Sequence, residues 1–194
     1  MMDDPSTLPP PWAESLLQMT LRPGDRESIS GDLLEQYRDS ILPSRGSRAD
    51  LWYVRQVAGF VWRTNGIWAL LFAGLCLART AYDWRVPTTD FAWRSTVSTW
   101  SGVATLFAAG AWGAWRSRSF ASGVVTAIVT SQVAAVISIA GAALMLALWH
   151  DLQTRTAIAG SGGLGEVFLM PFMMIVPAII VGALGALLGR VLPP

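Results

Sequence analysis

Lysine is absent from the sequence, and histidine and cysteine each occur only once. Without lysine there is no Gly-Lys phosphate-binding loop, which excludes the common nucleotide-binding signature. The single cysteine, Cys76, excludes an intramolecular disulfide. Serine is plentiful, but no Gly-x-Ser-x-Gly nucleophile elbow occurs, and His150 is the only histidine available as a catalytic base. We therefore predict that the protein is not an enzyme and has no cofactor.

Charged residues are also scarce, at 14% of the chain, compared with about 25% in a typical soluble domain. The net charge of +1 gives no reason to expect a nucleic-acid partner. Most of the charges lie before residue 64, whereas 53% of the whole chain is hydrophobic. This uneven distribution predicts a polar N-terminal part and an apolar remainder.

Four later stretches are almost free of charge, at 61–82, 97–115, 121–146 and 167–189. Each is long enough for a membrane helix, because a bilayer core about 30 Å thick requires about 20 apolar residues. Buried helices of soluble proteins usually keep a polar face, and three of these segments lack one. The uncharged part of the first stretch, Thr64 to Ala78, has only 15 residues, so this span must extend over 61–82, with Arg63 and Arg79 snorkelling to opposite interfaces. The sequence therefore predicts an all-α integral membrane protein with about four spans in the lipid bilayer.

The arginines predict the orientation of these spans. With a cytoplasmic N-terminus and four spans, ten arginines are inside and four are outside, in agreement with the positive-inside rule. If the first segment did not span, the count would be eleven against three, so charge does not separate the two topologies. Four spans are preferred because the first segment is densely apolar, and both termini are then cytoplasmic.

Composition divides the chain into three parts. A flexible, proline-rich N-terminus is predicted at 1–11, a cytoplasmic helical prefix at 12–60, and a four-helix transmembrane domain at 61–194. Metal or proton binding by His150, Asp151 and Glu166 at the outer ends of the last two spans is a weak possibility, because metal sites need tightly arranged ligands. Ordinary polarity at helix ends is the preferred interpretation of these residues.

The prefix is predicted to contain two short helices and the start of a third. The first runs from Trp12 to Leu21, with apolar Trp12, Leu16, Leu17 and Met19. The second has a stripe at four-residue spacing, which shares one helix face and consists of Ile29, Leu33, Tyr37 and Ile41. Gly31 within it predicts close packing, and Pro43 to Gly46 predict a break. From Ala49 the third helix enters the first span, as one long helix or a bent pair.

Two short motifs in this prefix are Gly31-Asp32-Leu33-x-Glu35 and Trp52-Tyr53-x-x-Gln56. They resemble the segment that precedes the first membrane helix of duplicated orphan ABC-type permeases of the acidobacterial type. The resemblance covers less than a third of the chain and implies a cytoplasmic prefix on a bacterial inner-membrane protein. It does not imply permease activity, because the chain has no room for the large extracytoplasmic domains of that family. The predicted prefix-core or partner-docking residues are Gly31, Asp32, Leu33, Glu35, Tyr37, Trp52 and Gln56.

Three glycines line the second half of the fourth predicted span. Gly182, Gly185 and Gly189 share one face, and small residues let membrane helices approach closely. We expect this face to pack on the third span near residues 134–142, with a dimer interface as the alternative. Pro171 and Pro177 predict a kink; Gln132, beside Ser131, is predicted to hydrogen-bond a neighbouring helix, and the Gly-rich stretch 158–165 is predicted to be a flexible loop.

These observations favour a non-enzymatic accessory protein of the bacterial inner membrane. Its cytoplasmic prefix would dock on a membrane-protein partner, such as a transporter or a signalling component. The alternative is a small transporter or channel subunit that works as a homo-oligomer. A transport path would require polar residues through the spans, and only Gln132, Ser131 and a few other Ser or Thr residues are available.

Overall fold

The computed structural model describes residues 8–86, 91–149, 151–160 and 165–193. Every regular element in this part of the chain is helical, which confirms the all-α prediction. The elements of the prefix are α1 (Pro11–Thr20), a 3-10 turn (Pro23–Asp25), α2 (Arg26–Gln36), a π-helical turn (Tyr37–Ile41), α3 (Leu42–Arg45) and a second 3-10 turn (Gly46–Arg48). The long elements and their connections are α4 (Ala49–Arg85), α5 (Phe91–Ser117), α6 (Phe120–Leu148), α7 (Leu152–Gly160), α8 (Gly165–Met173) and α9 (Ile175–Val191).

The predicted apolar stripe of the prefix packs as a core. Leu33 and Tyr37 are buried, and Ile29 and Ile41 pack against the same cluster. The break predicted over Pro43 to Gly46 is confirmed at Gly46, where α3 ends and the φ of 50° favours glycine. Pro43 itself lies in the first turn of α3, where a helix does not use the N–H that proline lacks.

Of the four apolar residues predicted for helix α1, Leu17 is buried and Leu16 packs against the same cluster, but Trp12 and Met19 are exposed. The buried residues of this helix are Ala13, Leu17 and Thr20, which recur at helical spacing. The apolar cluster formed by α1, α2 and the first turns of α4 combines small and aliphatic side chains with two buried tyrosines, Tyr37 and Tyr53.

Helix α4 is a single helix of 37 residues, about 55 Å long at 1.5 Å per residue. This confirms the continuous-helix alternative for the passage from the prefix into the first apolar segment. The last apolar segment is instead bent by 46° between residues 167–173 and 175–191. Pro171 lies inside α8 and Pro177 in the first turn of α9, so the predicted kink is confirmed.

Helices α4, α5, α6 and α9 form a bundle in which α5 packs most extensively on α9. The turn after α5 lies beside the prefix, since Arg26 Nη2 donates to the Ser117 carbonyl oxygen at 3.5 Å. At the other end, Arg85 of α4 pairs with Asp151 after α6 at 3.1 Å. We call these two ends the prefix end and the α7 end. Helices α4 and α6 both run from the prefix end to the α7 end, and α5 returns between them.

Two helices, α4 and α6, are long and apolar enough to cross a membrane, and the bent α8–α9 pair raises the number to three. Helix α5 has 27 residues, but its serines, threonines and tryptophans lower its hydropathy. The stretch 158–165 is not wholly the predicted loop, because residues 158–160 complete the helix α7. Residues 161–164 lie outside the described part of the chain.

Candidate functional site

Glu14 of α1 connects three elements of the prefix. Its carboxylate accepts hydrogen bonds from Ser30 Oγ of α2 at 2.5 Å and from Gln18 Nε2 at 2.8 Å. It also accepts a hydrogen bond from the Tyr53 hydroxyl of α4. Charge-assisted hydrogen bonds of this kind are stronger than neutral ones, so Glu14 ties α1 and α2 to the long helix. Sequence reasoning missed this residue, because its partners are 16 and 39 positions away.

A second link joins the end of the α2 segment to α4. The Tyr37 hydroxyl donates to Asp50 Oδ1 at 2.6 Å, and the Tyr37 ring meets the Tyr53 ring edge-on with centroids 5.7 Å apart. Burial of the phenol, followed by its hydrogen bond to the Asp50 carboxylate, raises the pKa of Tyr37 to about 12. The prefix is therefore held to α4 by two tyrosine–carboxylate pairs with apolar packing between them.

The predicted prefix residues fall into two groups. Leu33 and Tyr37 point inward, and Trp52 and Gln56 on α4 are half-buried. The exposed group consists of Gly31, Asp32 and Glu35. The expectation that Gly31 marks close packing is wrong, since a Cβ added there would have no other atom within 4 Å.

The outward side of α2 and the following π-turn is acidic. Glu27, Asp32, Glu35 and Asp39 are all exposed and lie on successive turns, and Gly31 lies among them. We call these five residues the acidic face. Its members contribute little to the core beneath them, because the inward positions are occupied by the apolar stripe.

The C-terminus lies at the prefix end. Trp115 Nε1 donates to the Pro193 carbonyl oxygen at 2.8 Å, and Arg118 Nη1 donates to that of Leu192 at 2.9 Å. Arg118 has a φ of 55°, which allows the tight turn between α5 and α6. The prefix, this turn and the C-terminal residues up to 193 therefore form one continuous surface.

The three glycines of α9 are buried in close contact with other helices. A Cβ added to Gly185 would lie 2.1 Å from the Phe107 carbonyl oxygen, and one added to Gly189 would lie 2.1 Å from that of Ala111. At Gly182 the nearest atom is the Cβ of Ala127, at 2.4 Å. The expected partner, α6 at residues 134–142, is therefore wrong: two of the glycines meet α5, and the third meets α6 nearer its start.

Gln132 of α6 makes the predicted interhelical hydrogen bond. Its Nε2 donates to the Pro171 carbonyl oxygen of α8 at 2.9 Å, and Ser131 Oγ donates to its own helix at 2.8 Å. The bond reaches α8 within one turn of the α8–α9 bend, where a broken helix has carbonyl oxygens without helical partners. Gln132 thus stabilises the kink instead of lining a path along the bundle.

A cavity of about 560 Å³ lies between α4, α5 and the bent α8–α9 pair. Its deeper wall is apolar and is formed mainly by Phe72, Leu75, Val103, Leu106, Met170, Met174 and Pro177. Towards the α7 end its wall is polar and consists of Arg79, Thr80, Asp83, Ser95, Ser98 and Thr99. The volume falls in the range of about 300–1,000 Å³ that is typical of ligand pockets.

The charges at the polar end of this cavity form one network. Arg79 pairs with Asp83 and donates to Ser98 Oγ at 2.8 Å. Arg94 Nη1 lies 3.3 Å from the other oxygen of Asp83, and its guanidinium lies 4.1 Å from the centre of the Tyr82 ring. Among the described residues, two guanidinium groups thus share one carboxylate, and this network carries one positive charge in excess. The sequence analysis identified Arg79 as a residue near the end of the first predicted span, but it did not identify the partners of Arg79.

The weak metal or proton site at His150, Asp151 and Glu166 cannot be assembled from what the structure describes. His150 and the Glu166 side chain lie outside the described part. Asp151 accepts a hydrogen bond from the Thr154 backbone N–H at 2.8 Å, and this bond, with help from Arg85, holds the pKa of Asp151 below its usual value. Among the described residues no group of three potential metal ligands lies together.

The cavity and the acidic face are therefore the two features whose geometry suggests binding. In comparisons with known proteins, no family model matches the chain, and no curated protein or solved structure is significantly similar to it.

Proposed function

We propose that the chain is a non-enzymatic, four-span protein of the bacterial inner membrane whose cytoplasmic prefix docks on a membrane-protein partner. The acidic face is the observation that carries the docking role. It is presented by a packed prefix but is not needed to hold that prefix together. A transporter or a signalling component with a basic cytoplasmic segment fits this surface.

The distribution of side-chain sizes supports the membrane placement. Many large apolar side chains of the bundle point outward: Ile67, Val136, Phe172 and Leu187 are each at least 55% exposed. Many of the buried side chains are instead small, and these include Ala109, Ala127, Ala134, Ala178, Thr130 and Ser131. In water this arrangement would leave a large apolar surface uncovered. In lipid it is the usual one, because small residues between helices allow close packing.

Helix direction supports four spans in place of the three that length and hydropathy alone allow. Helices α4 and α6 both run from the prefix end to the α7 end. If both cross the membrane in that direction, the chain between them must cross back, and α5 occupies that position. Its modest hydropathy is compatible with a span, because α4, α6 and α9 cover much of its surface.

The arginines support a cytoplasmic prefix end. Ten of the fourteen fall in the prefix, the first half of α4, the α5–α6 turn or the end of α9. This excess is the positive-inside pattern. The hydrogen bonds of Arg26 and Arg118 bring the prefix and the C-terminal residues to the same side.

Cysteine labelling in intact cells tests this topology. In a Cys76→Ala background, an exposed cysteine at Thr156 of α7 should react with a membrane-impermeant thiol reagent. A cysteine at Ser44, exposed in α3, should react only after the cells are opened. The opposite pattern would reverse the orientation, and reaction at both positions in intact cells would exclude the four-span arrangement.

Charge reversal tests the docking role. We expect Asp32→Arg combined with Glu35→Arg to remove a specific partner that cross-links to the wild-type chain in native membranes. Ser15→Arg, at an exposed position on α1, is the matched control and should retain the partner. The variants should insert equally, because neither acidic residue is buried. Recovery of the same cross-linked proteins from the double variant would exclude the acidic face as the docking surface.

A further inference from the structure

We propose that the cavity between α4, α5 and α8–α9 binds an anionic amphiphile with a single acyl chain, taken up from the outer leaflet of the membrane. This inference rests on the membrane placement proposed above but not on the docking role. The argument uses the cavity's two chemically different walls, its excess charge and its depth along α4.

The polar end is suited to a carboxylate or a phosphate. Arg79 and Arg94 both reach Asp83, and one carboxylate neutralises only one of them. The Arg94 side chain is 11% exposed and that of Asp83 is 13% exposed, so the network is largely shielded from solvent. An anion beside Arg79 and Ser98 would complete the charge balance with charge-assisted hydrogen bonds.

The apolar end is suited to a hydrocarbon chain. Phe72 lies seven residues before Arg79 on α4, about 10 Å deeper at 1.5 Å per residue. Met170 and Met174 line the opposite wall, and methionine adapts to flexible apolar ligands. If each non-hydrogen atom takes about 30 Å³, as a water molecule does in the liquid, the cavity holds about 19 of them. One acyl chain of ordinary length with its head group fills that space, whereas two chains exceed it.

The direction of the cavity agrees with the orientation of a lipid. Its charged end faces the α7 end, where Trp84 and Tyr82 lie beside the arginines, and its apolar end faces the middle of the bundle. A head group would therefore lie near the membrane surface and the chain would point to the midplane.

The native cysteine provides a direct measurement. Cys76 is the only cysteine of the chain and it lines the cavity, so an occupant should shield its thiol. The full-length wild-type protein is purified in a neutral maltoside detergent, and the rate of Cys76 modification by methyl methanethiosulfonate is followed by mass spectrometry. Palmitate should slow the reaction at least fivefold in a saturable manner. Hexadecyltrimethylammonium, which has the same chain length and a positive head, should not.

Two variants test whether the positive charge of Arg79, and not only the shape of the cavity, determines binding. Arg79→Gln should weaken protection by palmitate at least about tenfold, since hydrogen bonds to charged groups contribute strongly to binding. Arg155→Gln, an exposed change on α7 at the same end of the molecule, should leave protection unchanged. A tetradecyl phosphate arm, whose size matches the capacity of about 19 non-hydrogen atoms, distinguishes a phosphate head from a carboxylate head, and saturable protection by either supports the proposal.

Three results would overturn the inference. They are equal protection by the cationic amphiphile, no protection by either anionic one, and equal protection by a two-chain phosphatidylglycerol that Arg79→Gln does not reduce. The last result would describe general lipid contact. Because the topology test does not use Cys76 reactivity, failure of this experiment is distinguishable from failure of the membrane placement.

Discussion

Replacing Gly185 by alanine adds one methyl group at one of the two closest contacts between α9 and α5. The new Cβ would lie 2.1 Å from the Phe107 carbonyl oxygen and 3.0 Å from the Ala111 nitrogen. These are backbone atoms, so no rotamer change relieves the overlap, and α9 must move away from α5 by about 1 Å. Overpacking of this kind costs about 1–3 kcal/mol, while the better helix propensity of alanine returns about 1 kcal/mol. A net loss of about 1–2 kcal/mol follows if the overlap falls at the upper end of that range.

Gly74→Ala is the matched control. Gly74 lies within α4, and a Cβ there would meet no other atom within 4 Å. The same substitution should therefore stabilise the protein by up to about 1 kcal/mol, because glycine is the poorer helix former. The two variants differ only in what surrounds the added methyl group.

Thermal unfolding in a maltoside detergent, followed by tryptophan fluorescence at one fixed heating rate, measures both variants. A difference of 2–3 kcal/mol corresponds to roughly 4–12 °C in Tm at about 2–4 °C per kcal/mol for a chain of this size. Gly185→Ala should melt below the wild type and Gly74→Ala at or above it. If Gly185→Ala melts as high as Gly74→Ala, the close α5–α9 contact does not exist in the folded protein.

Three further predictions address the prefix and the kink. Leu33→Ala should cost about 2–5 kcal/mol as a buried truncation and accelerate proteolysis of the prefix without affecting membrane insertion; unchanged cleavage rates would show that the stripe is not a core. Gln132→Leu removes the donor to Pro171 and should cost about 0.6–2 kcal/mol, seen as a lower Tm, and an unchanged Tm would show that the bond does not stabilise the kink. With the other two tyrosines replaced by phenylalanine, absorbance at 295 nm should show Tyr37 ionising near pH 12 in the folded protein and near pH 10 after unfolding. The stabilisation that goes with the raised pKa of Tyr37 is thus complete below pH 10 and lost as the pH rises through 12. A titration midpoint near pH 10 in both the folded and the unfolded state would contradict the buried pair with Asp50.

Local patterns in the sequence predicted the helices well. The four-residue spacing from Ile29 to Ile41 marked the buried side of α2, and the uninterrupted run from Ala49 indicated that the prefix continues into α4. The prolines at 171 and 177 located the bend. Each of these features depends on residues close together in the chain, where periodicity and backbone chemistry act directly.

Contacts between distant segments could not be predicted in the same way. The face of small residues on α9 was predicted, but the helix that packs against it was not. Both α5 and α6 carry small residues at several positions along their length, so the sequence does not decide between them. Glu14 and Asp83 were missed because the structural role of a single carboxylate depends on the hydroxyls and guanidinium groups that the fold brings next to it. The cavity has no sequence signal at all, because it is a space left between four helical segments.

Helix α4 also has a mechanical consequence. Its backbone is helical at every position from Ala49 to Arg85, so this fully described stretch contains no hinge. Tyr53, which binds the prefix, and Arg79, which lines the cavity, are therefore fixed points on one stiff rod. Tyr53 and Arg79 are 26 residues apart, which is about 39 Å at 1.5 Å per residue. A force that a bound protein exerts on the prefix is therefore transmitted over this distance to the cavity wall. In the proposed topology, α4 acts as a lever across the bilayer, with a short cytoplasmic arm at the prefix and a long arm that forms one side of the cavity.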